Sequence, residues 1–431
     1  MMIRFRTFVL LAVSILFTVA MVGQSGSLPS ENWVVTWATS QEMAPAVQER
    51  PVIPPGTKMH DFSAMRGPRR PTQIPKDVAD QTVRMIVHTS IAGKRLRLEL
   101  SNSFGKSVVS IGSAHVAIRT SESSVDTASD RQLTFSGNPS VNIGPGVVII
   151  SDPFNLDVKA MSDLAVSLYV IKSEGTPTNH TPGLHTAYIS KGDTSASSSL
   201  PEPTTTTSYL WLRSIDVVAS ANDFAVACLG DSITDGFATT VDKDQAWPTL
   251  LAKRFSEKKS GPHVAVINEG ISGNQVIRDG AGVSALARLD RDVLSQPGLR
   301  WIVLLEGIND INLHGQTTDP TALTAEDLIK GDQQIIARAH THKIKVIGAT
   351  LTPEEGVWLS GPVGEATRQK LNEWIRTSGA FDAVVDFDAA IRDKEHPARM
   401  REEFNPGDHI HPNDLGNGVM ANAFQLATFE K

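Results

Sequence analysis

The chain has 431 residues, too many for one ordinary core, so two domains are expected. A hydrophobic content of 40% and a charged content of 20% suit a soluble globular protein. The formal net charge of -7, with no long basic block, argues against nucleic acid as a partner. Cys228 is the only cysteine, so an intramolecular disulfide is impossible; it sits in an apolar run and reads as a buried hydrophobe.

The N-terminus reads as an export signal over residues 1–25. Arg4 and Arg6 make a short basic region. Residues 8–22 are apolar but too short for a comfortable membrane span. Residues 23–27 are small and polar, as a cleavage site requires, although no clean A-x-A is present. The protein is therefore expected in the periplasm or outside the cell. An uncleaved anchor is the one route to a membrane, and no cysteine near the run suggests a lipoprotein.

Residues 33–37 form a short strand-like piece. Residues 43–80 are rich in proline and charge, which predicts a loop or an extended wrapping segment. From 81 to about 219 the pattern is β. Strands are predicted at 82–89, 95–100, 107–118, 146–150, 164–171 and 209–218. Residues 95–100 alternate cleanly, so one face of that strand is wet. Short strands separated by turn residues predict a β-sandwich-like accessory domain over 31–220. Residues 194–208, rich in Ser, Thr and Pro, are expected as a surface loop. Asn179-His180-Thr181 is a glycosylation sequon. Tyr169, Tyr188, Tyr209 and Trp211 fall in or near strands. They suit either a carbohydrate-binding face or a core, and a structural domain is favoured.

From 223 onward strands and helices alternate. Strands are predicted at 224–229, 264–268, 301–305, 345–351 and 383–387. Helices are predicted at 245–259, 284–295, 325–342, 365–377 and 413–428. Pro248 is tolerated in a first helical turn. Leu286, Leu289, Val293 and Leu294 share one helical face. Five strands alternating with helices imply a parallel sheet covered on both sides, in a second domain over 221–431.

Four groups of unusual residues fall beyond the carboxyl ends of these strands. Gly230-Asp231-Ser232 follows the first. Gly270-Ile271-Ser272-Gly273-Asn274 follows the second. Gly307-Ile308-Asn309-Asp310 follows the third, and Asp408 to His411 follows the fifth. Each group alone has an ordinary turn or capping explanation. Their common edge is where an open α/β sheet binds ligands. Ser232 is then a candidate nucleophile, His411 its base, and Asp408 the orienter three residues before it. The backbone N–H groups of Ser232 and Gly273 and the Asn309 amide are candidate oxyanion donors. His409 rivals His411, but its neighbour Asp408 points elsewhere when side chains diverge. Asp310 either orients Asn309 or caps a turn. Asp231 and Asp235 read as turn residues. Asp386 and Asp388 have no local reason to serve His411, and Trp358 either lines a pocket or packs. No H-x-x-x-H or clustered Cys/His pattern supports zinc.

These four blocks resemble those of the SGNH/GDSL hydrolase superfamily. GDSITDG surrounds Ser232, with isoleucine where the family's leucine stands. A glycine block holds Gly273, Gly307–Asp310 reads GxND, and Asp408–His411 reads DxxH. The resemblance implies a three-layer α/β/α domain with a flavodoxin-like sheet. It also implies a serine esterase that works without metal or cofactor. The opening residues 33–40, the β-region and residues 307–311 further resemble exported bacterial two-domain esterases, some lysophospholipase-like and some linked to xylan. The expected substrate is a small-molecule or glycan ester. A lipid-directed acylhydrolase and a catalytically silent carbohydrate-binding protein are the alternatives.

Overall fold

A computed structural model describes residues 31–42, 74–315, 322–357 and 359–430. The expected signal segment, most of the proline-rich segment (43–73) and Trp358 lie outside these residues. Asn32–Lys431 form one compact unit. Among the described residues, no helix is long and apolar enough to cross a membrane.

The N-terminal region is strand-rich, as its alternation predicts. One antiparallel sheet orders Trp33–Ala38, Leu212–Val218, Gly93–Ser101 and Val148–Ile150, with Phe154–Val158 also on Gly93–Ser101. A second runs Thr204–Thr206, Ala187–Lys191, Gln81–Thr89, Ser162–Lys172 and Val109–Ser121, ending on Ser124–Val125. Leu96, Leu98 and Leu100 point inward and are fully buried. They share one core with Val83, Met85 and Val87 and with Leu164, Val166 and Leu168. The opposite face of the second sheet buries a smaller cluster around Ile86, Ala165 and Tyr188. Strand bounds move by a few residues from those expected. Trp211, buried at φ +57°, breaks the predicted 209–218 strand in two. The predicted 194–208 loop contains the short strand Thr204–Thr206. Tyr209 and Trp211 are core residues, not exposed platforms. Asn179 of the sequon is fully buried and donates to the Pro177 carbonyl at 3.0 Å, so it is packed rather than presented.

The second region holds a five-stranded parallel sheet. Its strands are Phe224–Gly230, Val264–Gly270, Leu299–Leu305, Lys345–Ala349 and Ala383–Val385. Counted within the sheet, their spatial order is second, first, third, fourth, fifth, the order of flavodoxin-like sheets. All four pairings are parallel. Phe224–Gly230 is buried along its whole length, which explains its unbroken apolar run.

Helices fall where apolar spacing predicts them. Ala325–Thr341 buries Leu328, Ile335, Ile336 and Ala339 and opens on a capping box of Thr324 and Asp327. Trp247–Ser256 accepts Pro248 at its start. The predicted 284–295 helix is α-helical over Ala285–Arg288 and continues as a π-helical turn over Leu289–Leu294. Asn413 caps the last predicted helix through the N–H groups of Leu415 and Gly416, and the helix is shorter, Asp414–Ala423, because the chain turns extended at Phe424 before a separate 3-10 turn over Leu426–Glu430.

The edge strand Val264–Gly270 would expose unpaired backbone groups. The N-terminal region covers it. Thr39 bridges Asn268 in parallel, and the Ser90 hydroxyl donates to the Val266 carbonyl at 2.6 Å.

Trp247 is fully buried between Phe387 and Phe424, with ring centroids 5.4 and 5.7 Å away. Trp247→Ala should destabilise the fold by about 3–5 kcal/mol, seen as a lower midpoint in urea unfolding.

Candidate active site

The first parallel strand ends at Gly230 and the chain turns at once. Asp231 caps the short helix Ser232–Asp235, its Oδ1 accepting from the Ile233 N–H at 2.9 Å. Gly236 closes that helix at φ +88°. The turn is too tight for a side chain at 230: a Cβ there would lie 2.2 Å from Thr234 Oγ1 and 2.5 Å from the Leu305 carbonyl. Ser232 is thus held at the strand's carboxyl end, 5% exposed.

The Ser232 hydroxyl lies 2.8 Å from His411 Nε2. His411 Nδ1 lies 2.7 Å from Asp408 Oδ2. The Asp408–His411 spacing works through a turn, not a helix. Asp408 Oδ1 accepts the N–H groups of Ile410 and His411 at 3.1 and 3.0 Å, which folds the segment back on itself. Burial alone would raise the Asp408 carboxyl. The His411 hydrogen bond and charge and the two backbone donors outweigh it and hold Asp408 below the ordinary carboxylate range. Phe237 packs on the imidazole with ring centroids 4.6 Å apart. A serine hydroxyl, an imidazole and a carboxylate in this order can activate the hydroxyl for attack on a carbonyl.

Gly273 and Asn309 come from the turns after the second and third strands. Gly273 has φ +82°, where a side chain is strained, and a Cβ there would meet the Ala281 Cβ at 2.8 Å. Asn309 lies in the first turn of Ile308–His314, entered through Gly307 at φ +120°. One Asn309 amide hydrogen goes to the Asn274 carbonyl at 2.9 Å, which ties the two turns together. Asp310 does the same from the other side, accepting the Val276 N–H at 2.8 Å. Burial is the larger influence on Asp310 and raises it to about 6 against its backbone donors.

The rival residues are engaged elsewhere. His409 sits at φ +67° with Nδ1 2.9 Å from the Asn405 amide nitrogen. Asp386 pairs with Arg376 at 2.8 Å and Asp388 with Arg368 at 2.9 Å. Two residues make contacts that their positions along the chain do not suggest. Asp235 reads as a turn residue, yet its Oδ2 accepts the Ser272 hydroxyl at 2.6 Å and its Oδ1 lies 3.1 Å from His180 Nε2. Arg288 is fully buried and donates to the Asn274 side chain at 2.9 Å, the Gly230 carbonyl at 3.0 Å and the Ser40 hydroxyl at 2.7 Å. These partners are too far apart in sequence for any local pattern to link them.

A cavity of about 730 Å³ opens beside Phe224, His263, Trp301 and Lys345, at the amino-terminal edge of the sheet, opposite Ser232. Among the described residues, His88, Asp163 and Asp244 have ligand atoms close enough to hold a metal ion. That group excludes Ser232, Asp408 and His411. Asp163 already pairs with His88 at 2.7 Å and with Arg119 at 2.9 Å.

Residues 228–419 match the family model described as GDSL-like Lipase/Acylhydrolase family. No curated protein matches the chain. Among solved structures, a GDSL-like lipase from Bacteroides thetaiotaomicron is 20% identical over 48% of this chain and 88% of its own, with a TM-score of 0.35. An acetylxylan esterase from Geobacillus stearothermophilus is 20% identical over 49% and 95%, with a TM-score of 0.36. The acetyl xylan esterase AlAXEase is 22% identical over 46% and 97%, with a TM-score of 0.36.

Several buried groups hold protons in the folded chain to unusually high pH. Burial raises Glu42 and Asp231 to about 7. Burial opposes protonation of His180 and His185, but Asp235 beside one and Asp242 and Asp244 beside the other raise both to about 9. In each case the folded value exceeds the unfolded one, so the folded chain binds more protons between about pH 5 and 9, and stability falls as pH rises through that window. Thermal melting should give a lower Tm at pH 9 than at pH 6.

Proposed function

We propose that this chain, whose residues 228–419 form a GDSL-like lipase/acylhydrolase domain and which is a carboxylic ester hydrolase, acts through an acyl-enzyme on Ser232. The observation that carries the reading is the relay from Ser232 Oγ to His411 Nε2 at 2.8 Å and from His411 Nδ1 to Asp408 at 2.7 Å.

The Ser232 oxygen attacks the ester carbonyl carbon while His411 Nε2 takes the hydroxyl proton. Asp408 fixes the tautomer with Nδ1 protonated and stabilises the imidazolium. The carbonyl oxygen becomes an oxyanion, bonded by the N–H groups of Ser232 and Gly273 and the second amide hydrogen of Asn309. When the intermediate collapses, the C–O bond to the alcohol breaks and His411 gives that oxygen its proton. Water then repeats the sequence on the Ser232 ester. His411 removes its proton, and the acid leaves as Ser232 regains its hydrogen.

The substrate is a small acyl ester or an acetylated glycan. The support is the resemblance of residues 33–40, the strand-rich region and residues 307–311 to exported two-domain esterases. The same reading gives the hydrolase domain three α/β/α layers, with a β-sandwich beside it, and sends the protein out of the cytoplasm. A mature N-terminus between residues 23 and 28 would support export, and an intact Met1 in the exported fraction would speak for an anchor.

Initial rates on p-nitrophenyl esters from acetate to palmitate test the chemistry. Ser232→Ala should lose at least about 10⁴-fold in kcat. Asn309→Ala should lose about 10²–10³-fold, as removal of one oxyanion donor does elsewhere. A rate maximum at acetate supports the glycan and small-ester reading; a maximum at long chains replaces it with a lipid. Undiminished turnover by Ser232→Ala would sink the mechanism.

A further inference from the structure

The strand-rich region reaches the candidate active site through His180. Its imidazole is 3% exposed and both ring nitrogens are engaged. Nδ1 lies 2.8 Å from the Ser40 carbonyl, and Nε2 lies 3.1 Å from Asp235 Oδ1. An acceptor at each nitrogen means that both carry hydrogen. Asp235 Oδ2 in turn accepts the Ser272 hydroxyl at 2.6 Å. Ser272 immediately precedes Gly273. On the far side of Gly273, Asn274 is held by Arg288, which also donates to the Ser40 hydroxyl at 2.7 Å. The charged groups facing His180 are Asp235 and Glu42, the latter 3.6 Å from Nδ1.

A donor must stand within about 2.7–3.1 Å of the oxyanion to count, so a small swing of a peptide plane removes it. Gly273 has no side chain to fix its own plane. Its two neighbours have: Ser272 is anchored through Asp235 to His180 of the strand-rich region, and Asn274 by Arg288 and by the Ala281 and Val283 carbonyls at 3.2 and 2.9 Å.

We propose that His180 is a positioning residue for ester hydrolysis: through Asp235 and Ser272 it fixes the Gly273 N–H toward the oxyanion, so the strand-rich region completes the active site. This rests on the reading of Gly273 as an oxyanion donor.

The test uses the full chain and the p-nitrophenyl ester it turns over fastest. His180→Ala, His180→Gln, Ser272→Ala and the His180→Ala/Ser272→Ala double variant are compared. Each alanine variant should lose about 10- to 100-fold in kcat, less than outright removal of a donor, with KM within about twofold. The double variant should be hardly worse than the poorer single one, because both break the same chain. His180→Gln, whose amide can reach Asp235 in place of Nε2, should recover most of the loss. Unchanged kcat in folded His180→Ala, multiplicative losses in the double variant, or a change in KM alone each overturn the proposal. If His180→Ala does not fold, Ser272→Ala and His180→Gln decide: full kcat in Ser272→Ala overturns it. Ser232→Ala and Asn309→Ala run alongside. Turnover surviving in both removes the underlying reading, whereas their loss beside an intact His180→Ala removes only this inference.

Discussion

Parallel pairing in one register is the constraint on which the site depends. Gly230 pairs with Gly270 on one side and with Leu305 on the other. Three strands therefore end level, and the turns that follow start from one line. Parallel strands need a crossover before they can pair, so residues far apart in sequence arrive side by side only at these ends. The close approach is tight enough to demand glycine twice. A Cβ at 270 would lie 2.3 Å from the Asp235 backbone nitrogen, much as one at 230 would strike Thr234. Ser232, Gly273 and Asn309 inherit their mutual positions from this alignment.

Charge burial follows from the same geometry. Backbone carbonyls at the strand ends accept buried side-chain donors; that of Gly230 also accepts the Ile271 N–H at 3.0 Å. Arg288 serves those of Gly230 and Glu269 from a fully buried position. A buried guanidinium is a poor source of stability, because its desolvation offsets most of its attraction. Its planar fork is a good source of direction. The chain accepts several such groups around the site: Asp231, Glu306 and Asp310 are all buried, and burial raises the pKa of each. Their arrangement favours fixed geometry over maximal stability.

The N-terminal region has a structural reason to sit where it does. It covers the edge strand Val264–Gly270 and so removes an exposed ladder. That placement brings Ser40 and His180 within hydrogen-bond reach of the site. Tyr209 and Trp211 place their aromatic surface in the core, while Tyr169 is half-buried.

The sequence by itself determined the elements and the candidate site. Apolar runs and helical spacing located the five parallel strands and their helices to within a few residues. Ser232, Gly273, Asn309, Asp408 and His411 were legible as candidates because each stands in a short motif beyond a strand end, where neighbours along the chain carry the signal. Even the Asp408–His411 bond is a three-residue affair. Only the tertiary structure decided that Asp235 and Arg288 are more than turn and helix residues, that the Asn179 sequon is buried, and that His180 faces the nucleophile turn. The Arg288–Ser40 bond joins residues 248 positions apart. No periodicity or local propensity records such a pair, because its energy depends on where two separately folded segments meet.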